Sequence, residues 1–208
     1  MSESDRERWN AKWREHRGEL EPPAAVLLEY SHLLPAEGQA LDVAGGTGRN
    51  AVWLAHRGLD VTLVDISDVA IAQAERNAEV AGVKLRTLCV DLDAPLDFKP
   101  YQLVLMYHYL NRERRQDIAS MLVGDGLLIA MQPTVKNLER HASPSRRFLV
   151  EEGELEAWMR AAFFRIEVAR EGWTEEGRHE ALVIARRHAV VRSGYVPEPS
   201  SSSGDPYR

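Results

Sequence analysis

The sequence predicts an α/β fold of three layers, a doubly wound and mostly parallel sheet that ends in an antiparallel strand pair. Three observations carry this expectation. Short apolar runs alternate with helical patterns from residue 40 to residue 131. A glycine-rich turn joins the first of these runs to the helix after it. The last two apolar runs, residues 164–168 and 181–185, are separated by a polar turn with no helix between them, which makes that pair antiparallel.

Residues 9–17 read as a charged helical arm, with Trp9 and Trp13 one turn apart on a shared face. Pro22-Pro23 opens a helix that carries Leu27, Leu28 and Leu33. Residues 40–43 form a buried strand, and 47–56 a helix turning Val52, Leu54 and Ala55 toward a core. A second strand covers 61–64; Ser67 then caps a helix whose Ile71, Ala74, Ala78 and Ala81 recur on one face. Strands follow at 85–90 and 102–107, then a charged helix over 112–121, a turn at Gly124-Asp125-Gly126 and a strand over 127–131. A helix over 151–162 precedes the closing pair, with Phe163 and Phe164 expected in the core. The chain divides into an arm, residues 1–21, one domain, 22–190, and a tail, 191–208, whose Pro, Ser and Gly content predicts disorder.

A chain of 208 residues buries a sizeable core yet is short for two full domains. Its net charge of −6, with no basic block, argues against a general nucleic-acid binder. No apolar stretch approaches membrane-spanning length and the N-terminus lacks a signal-type apolar segment, so a cytoplasmic location with no membrane partner is expected. Cys89 is the only cysteine and, within Leu88-Cys89-Val90, is expected to be a core thiol. No Cys/His set has metal-ligand spacing, so no metal is expected.

The segment Leu-Asp-Val-Ala-Gly-Gly-Thr-Gly-Arg-Asn, residues 41–50, is a nucleotide-cofactor turn between strand and helix. Gly46-Thr47-Gly48-Arg49-Asn50-Ala51, with Asp65 beyond it, fits a dinucleotide fingerprint. Asp42 argues against that cofactor, because a carboxylate beside the loop would crowd a pyrophosphate. A cationic ligand reverses the sign. S-adenosylmethionine carries a sulfonium and an ammonium, and Asp42, Asp65 and Asp91 each end or follow a predicted strand.

Asp42-Val43-Ala44-Gly45-Gly46-Thr47-Gly48 resembles motif I of the class I methyltransferases, and Val61-Thr62-Leu63-Val64-Asp65-Ile66-Ser67 resembles their second-strand motif. Trp9-Asn10-Ala11-Lys12-Trp13, Gly48-Arg49-Asn50-Ala51 and Tyr107-His108-Tyr109-Leu110-Asn111-Arg112 are similar to the tellurite-resistance and thiopurine-type group within it. The resemblance spans residues 8–187 and implies a Rossmann-like class I methyltransferase fold, S-adenosylmethionine as cofactor and S-adenosylhomocysteine as product. It implies that Asp42 holds the ammonium end, that Ala44, Gly45, Gly46 and Gly48 form the loop, and that the N–H groups of Arg49 and Asn50 meet the carboxylate. Asp65 would take the ribose hydroxyls, Ile66 and Leu92 the adenine faces, and Asp91 its exocyclic amine. Trp9 and Trp13 would close over the sulfonium. Ala44 stands where the usual pattern has a glycine, and its methyl is expected to demand a negative φ.

Methyl transfer asks a site to align a nucleophile and, where the nucleophile starts protonated, to manage one proton. Tyr107, His108, Tyr109 and Asn111 follow the fourth strand, where a substrate would meet the methyl. His108 is a candidate proton acceptor and the tyrosines candidate walls or donors. Arg147 and Arg178 are candidates for an anionic substrate. The resemblance points to Arg178 and His179. The expectation is a small-molecule methyltransferase, monomer or homodimer, with a thiol or a selenium or tellurium species as acceptor by subgroup likeness. The alternatives are an O- or N-methyltransferase of a small metabolite, a non-catalytic nucleotide-cofactor-binding protein and a nicotinamide oxidoreductase.

Overall fold

The structure, a computed structural model, describes residues 3–15, 20–94 and 100–188. The tail expected over 191–208 lies outside the described residues, as do residues 16–17 of the arm. Seven strands, β1 (Gln39–Val43), β2 (Asp60–Asp65), β3 (Leu85–Cys89), β4 (Tyr101–Tyr107), β5 (Leu122–Pro133), β6 (Phe164–Trp173) and β7 (His179–Arg187), make one sheet in the order β3-β2-β1-β4-β5-β7-β6. β1 to β5 pair parallel, while β7 runs antiparallel to both β5 and β6. The α-helices among the described residues are α1 (Glu3–Glu15), α2 (Ala25–Glu29), α3 (Arg49–His56), α4 (Asp68–Ala81), α5 (Arg115–Ser120) and α6 (Glu154–Ala161).

Both faces of the sheet are covered, which is why its inner strands are near-continuous apolar runs. Along β4, Leu103 and Leu105 join Leu27, Leu54 and Ala74 in the core under α2, α3 and α4. Val104 and Met106, offset by one residue, join Ile118, Trp158 and Met159 under α5 and α6. Ser67 caps α4, its hydroxyl oxygen accepting the Ala70 N–H at 3.1 Å, and Ile71, Ala74 and Ala78 are buried as their spacing predicts. No helix among the described residues is long and apolar enough to cross a membrane.

Several elements differ from the sequence expectation. The helix after Pro23 stops at Glu29, and Ser31–Leu33 is a separate 3₁₀ turn. The helix expected from residue 112 begins at Arg115, because Asn111 Oδ1 accepts the N–H groups of Glu113 and Arg114 at 3.0 and 3.2 Å and holds that segment as a turn. The Gly124-Asp125-Gly126 turn is a bulge inside β5, whose pairing with β4 steps from Tyr101–Leu122 to Leu103–Leu127. Phe164 is buried, but Phe163, expected in the core, is 80% exposed, because it follows α6 at a φ of +59° that turns it outward. Cys89 is exposed, not a core thiol, because β3 is the edge strand of the sheet; its Sγ–H meets the Ile66 carbonyl at 3.4 Å.

Candidate active site

The carboxyl ends of β1, β2 and β4 open into a cleft of about 1290 Å³, larger than one small ligand requires. Its floor is the loop after β1. Gly45 N–H bonds to Val64 O at 3.2 Å and Gly48 N–H to Gly45 O at 3.1 Å, which folds the loop back over β2. Gly48 takes a φ of +85° with the Ala74 Cβ 3.1 Å from where a side chain would start, so only glycine lets α3 pack this closely on α4. Ala44 adopts a φ of +56°, not the expected negative value. The chain path is the glycine path, and the alanine sits in it at a cost of about 1–2 kcal/mol.

Asp65, at the end of β2, is the staple of this loop. Its Oδ2 accepts the Gly46 N–H and its Oδ1 the Ser67 N–H, both at 2.9 Å. Burial raises its pKa, and these N–H groups counter the rise. Asp42 is built differently. It is 1% exposed, and neither carboxylate oxygen has a hydrogen-bond partner. Burial first, then the neighbouring Asp65 charge, push its pKa up to about 7; Arg49 and the Ala51 N–H oppose this, though that N–H does not reach bonding geometry. A Cβ on Gly45 would lie 2.8 Å from Asp42 Oδ2, so the glycine leaves room for that carboxylate.

α1 lies across the loop. Trp13 Cζ2 lies 2.9 Å from where a Gly46 side chain would begin, and the Trp9 and Trp13 rings stack 6.4 Å apart. The helix is tied to α4: Asn10 Nδ2 donates to Asp68 Oδ1 at 2.6 Å, Ser67 Oγ donates to Asn10 Oδ1 at 2.6 Å, and Gln73 Nε2 donates to the Trp13 carbonyl at 2.9 Å. Lys12, absent from the sequence-derived candidates, projects into the cleft with Nζ 4.6 Å from the Trp9 ring centroid and 5.5 Å from that of Trp13. Burial first, then Arg178 and Arg8, lower its pKa.

The structure brings most expected residues to this cleft and leaves others outside it. Ile66, Tyr107, His108, Tyr109, Asn111, Arg147 and Arg178 all line it. Arg49 reaches in, 5.1 Å above the Tyr107 ring and 3.1 Å from Glu21, while Asn50 turns inward to accept the Ala24 N–H at 2.9 Å. Leu92 packs in the core and Asp91 is not on the cleft wall; Asp93 is, accepting from Asn111 Nδ2 at 2.7 Å. Burial pushes the Tyr109 hydroxyl up to about 12. His179 is buried off the cleft, its Nδ1 2.8 Å from Thr134 Oγ1 and its N–H donated to Asn137 Oδ1 at 3.1 Å. Its neighbour Glu180, absent from the sequence-derived candidates, meets the cleft instead through His108: Glu180 Oε1 lies 2.7 Å from His108 Nε2. Period-two alternation along β7 was the signal for this, since it sends adjacent side chains to opposite faces. Among the described residues no group of three His, Cys, Asp or Glu is placed to hold a metal ion.

Residues 40–124 match the methyltransferase-domain family. Over 111 residues the chain is 29% identical to the ribosomal RNA small subunit methyltransferase C of Alcanivorax borkumensis, covering 52% of this chain and 34% of that protein. It thus spans about a third of that relative's length. TehB from Haemophilus influenzae superposes with a TM-score of 0.66 at 20% identity, over 79% of this chain and 62% of that one. The magnesium protoporphyrin IX methyltransferase ChlM from Synechocystis, with S-adenosylhomocysteine bound, gives a TM-score of 0.66 at 19% identity, over 88% of this chain and 98% of that one. The seven-stranded sheet with its antiparallel end is the class I methyltransferase fold.

Proposed function

We propose that this chain, whose residues 40–124 match the methyltransferase-domain family and whose fold is that of the class I enzymes, is an S-adenosylmethionine-dependent methyltransferase that transfers a methyl group to a small molecule held in the cleft under α1. The observation that carries this reading is Asp42, a fully buried carboxylate without a hydrogen-bond partner on the wall of the cofactor-sized cleft. Such a group is costly unless a cation meets it, and the ammonium of S-adenosylmethionine supplies one. A dinucleotide pyrophosphate would meet repulsion there. When bound, the cofactor supplies an electrophilic methyl and a good leaving group. Asp42 then holds the ammonium end, Asp65 keeps lone pairs for the ribose hydroxyls while stapling the loop, and Ile66 offers an apolar face. Trp9 and Trp13 exclude water.

The acceptor is a small metabolite, with a thiol or a selenium or tellurium species favoured by the resemblance of residues 9–13, 48–51 and 107–112 to the tellurite-resistance and thiopurine-type group, and the protein acts in the cytoplasm. An RNA acceptor, in line with the name of the Alcanivorax relative, is disfavoured by the net charge of −6. Calorimetric titration with S-adenosylmethionine, S-adenosylhomocysteine and NADH tests the reading. Micromolar binding of the first two and none of the third is expected; binding of NADH alone would overturn it.

A further inference from the structure

We propose that His108, held by the buried Glu180, is the catalytic base of this cleft, and that the methyl acceptor arrives protonated, as a hydroxyl or a thiol. This rests on the methyltransferase reading. The geometry is built rather than incidental. His108 stands at a φ of +58°, a region that a non-glycine residue enters at a cost of about 1–2 kcal/mol. Its backbone N–H is donated to Met131 O at 2.8 Å, and its ring packs 4.1 Å from that of Tyr107. The strained backbone, the bond to β5 and the aromatic neighbour together fix the imidazole at the cleft.

Glu180 completes the arrangement. Its side chain is 3% exposed against 26% for His108, so one end of the pair is sealed and the other faces the cleft. A carboxylate at Nε2 fixes the ring proton there and leaves the Nδ1 lone pair as acceptor. Among the described residues Nδ1 has no hydrogen-bond partner. The other charged or titratable groups around the pair are Tyr107, whose pKa burial raises first and Glu180 next, Arg49 from α3 above that ring, and Glu176 and Arg178 on the turn between β6 and β7.

In the reaction, a lone pair on the acceptor oxygen or sulfur forms the bond to the methyl carbon. The methyl–sulfonium bond breaks, its electron pair passing to the donor's sulfur, and the acceptor's proton moves to His108 Nδ1. Glu180 stabilises the resulting imidazolium, which then releases the proton to solvent. An acceptor already ionised, such as a chalcogen oxyanion, has no use for this machinery. A neutral hydroxyl or thiol depends on it.

The test follows labelled methyl transfer from S-adenosylmethionine to a series of 4-substituted phenols and thiophenols, for wild type and His108→Asn. Asparagine tolerates the left-handed backbone, so this variant keeps the fold. The loss is expected to rise with acceptor pKa, from under about threefold for ionised acceptors to about 10²–10⁴-fold for protonated ones; the phenol and thiophenol arms separate hydroxyl from thiol acceptors. A loss equal for all acceptors, or transfer to thiophenolates alone at a rate the variant shares, would overturn the proposal. Nitrogen-resolved NMR of the full chain gives a readout independent of turnover. The Nε2–H tautomer of His108 is expected in wild type and its preference lost in Glu180→Gln, and an Nδ1–H tautomer in wild type would overturn the proposal. Failure of wild type to bind S-adenosylmethionine would sink the methyltransferase reading instead, leaving the tautomer result to judge the pair.

Discussion

Asp42, one residue before the end of β1, and Asp65, the last residue of β2, flank one loop, yet only Asp65 is hydrogen-bonded to it. Asp65 accepts two backbone N–H groups, whereas Asp42, beneath Gly45, accepts none. The pair divides its work: one acid holds the loop in place, and the other, without a hydrogen-bond partner, is the one we propose for the ammonium of the ligand.

That division sets a stability signature. Burial and Asp65 raise the Asp42 pKa to about 7, above its unfolded value of 3.8. Between those pH values the native chain holds a proton that the unfolded chain has lost, so this group's contribution to stability falls as pH rises through the window and is flat above it. The ionised form costs roughly 4 kcal/mol as an upper bound. Asp42→Asn is expected to melt up to roughly 10 °C higher than wild type at pH 8 and to match it below pH 4. Thermal melts at the two pH values check this, and an equal gain at both would refute it.

The same titration governs the ligand. Affinity for S-adenosylmethionine is expected to rise with pH up to about neutrality, by up to roughly tenfold per unit below the Asp42 pKa, with proton release on binding. Asp42→Asn is expected to weaken binding at least about tenfold and to flatten this rise below neutrality. Calorimetry in two buffers of different ionisation enthalpy reads both effects, and unchanged affinity in the variant would count against the cofactor assignment.

Ala44 carries strain that a glycine would not. Ala44→Gly is expected to stabilise the fold by about 1 kcal/mol at its φ of +56°. A denaturant midpoint that falls in the variant would show that the alanine methyl, packed against the core, outweighs its backbone cost.

Asn10 links α1 to both Ser67 and Asp68, so Asn10→Ala removes two of the hydrogen bonds that tie the arm down. The arm is expected to lose about 1–3 kcal/mol of docking energy while the domain melts nearly unchanged. Limited proteolysis of α1 should quicken and cofactor affinity should fall about tenfold or more. Proteolysis at the wild-type rate would refute the latch.

The sheet was legible because each inner strand is an apolar run of suitable length, and the glycine loop because its turn demands unusual residues. Element ends were less legible. Asn111 withholds three residues from α5 by an Asx turn, and the Gly124–Gly126 signal marks a bulge where a connecting turn would carry the same residues. The His108–Glu180 contact spans 72 residues and depends on β7 lying beside β5 in a particular register. A one-residue slip would have presented His179 instead. Local pattern therefore found the histidine and missed its carboxylate.

The outer strand β6 exposes Arg165, Glu167, Arg170 and Glu171, and these charges are already engaged. Arg165 pairs with Glu167 at 3.0 Å, and Arg170 grips both oxygens of Glu29 on α2 at 2.8 Å. A strand from another copy arriving at this margin would have to bury settled ion pairs before gaining any backbone bond. The sheet stops at β6 with its edge charges already paired, so a concentrated solution of the protein is guarded against fibre-like growth along that edge.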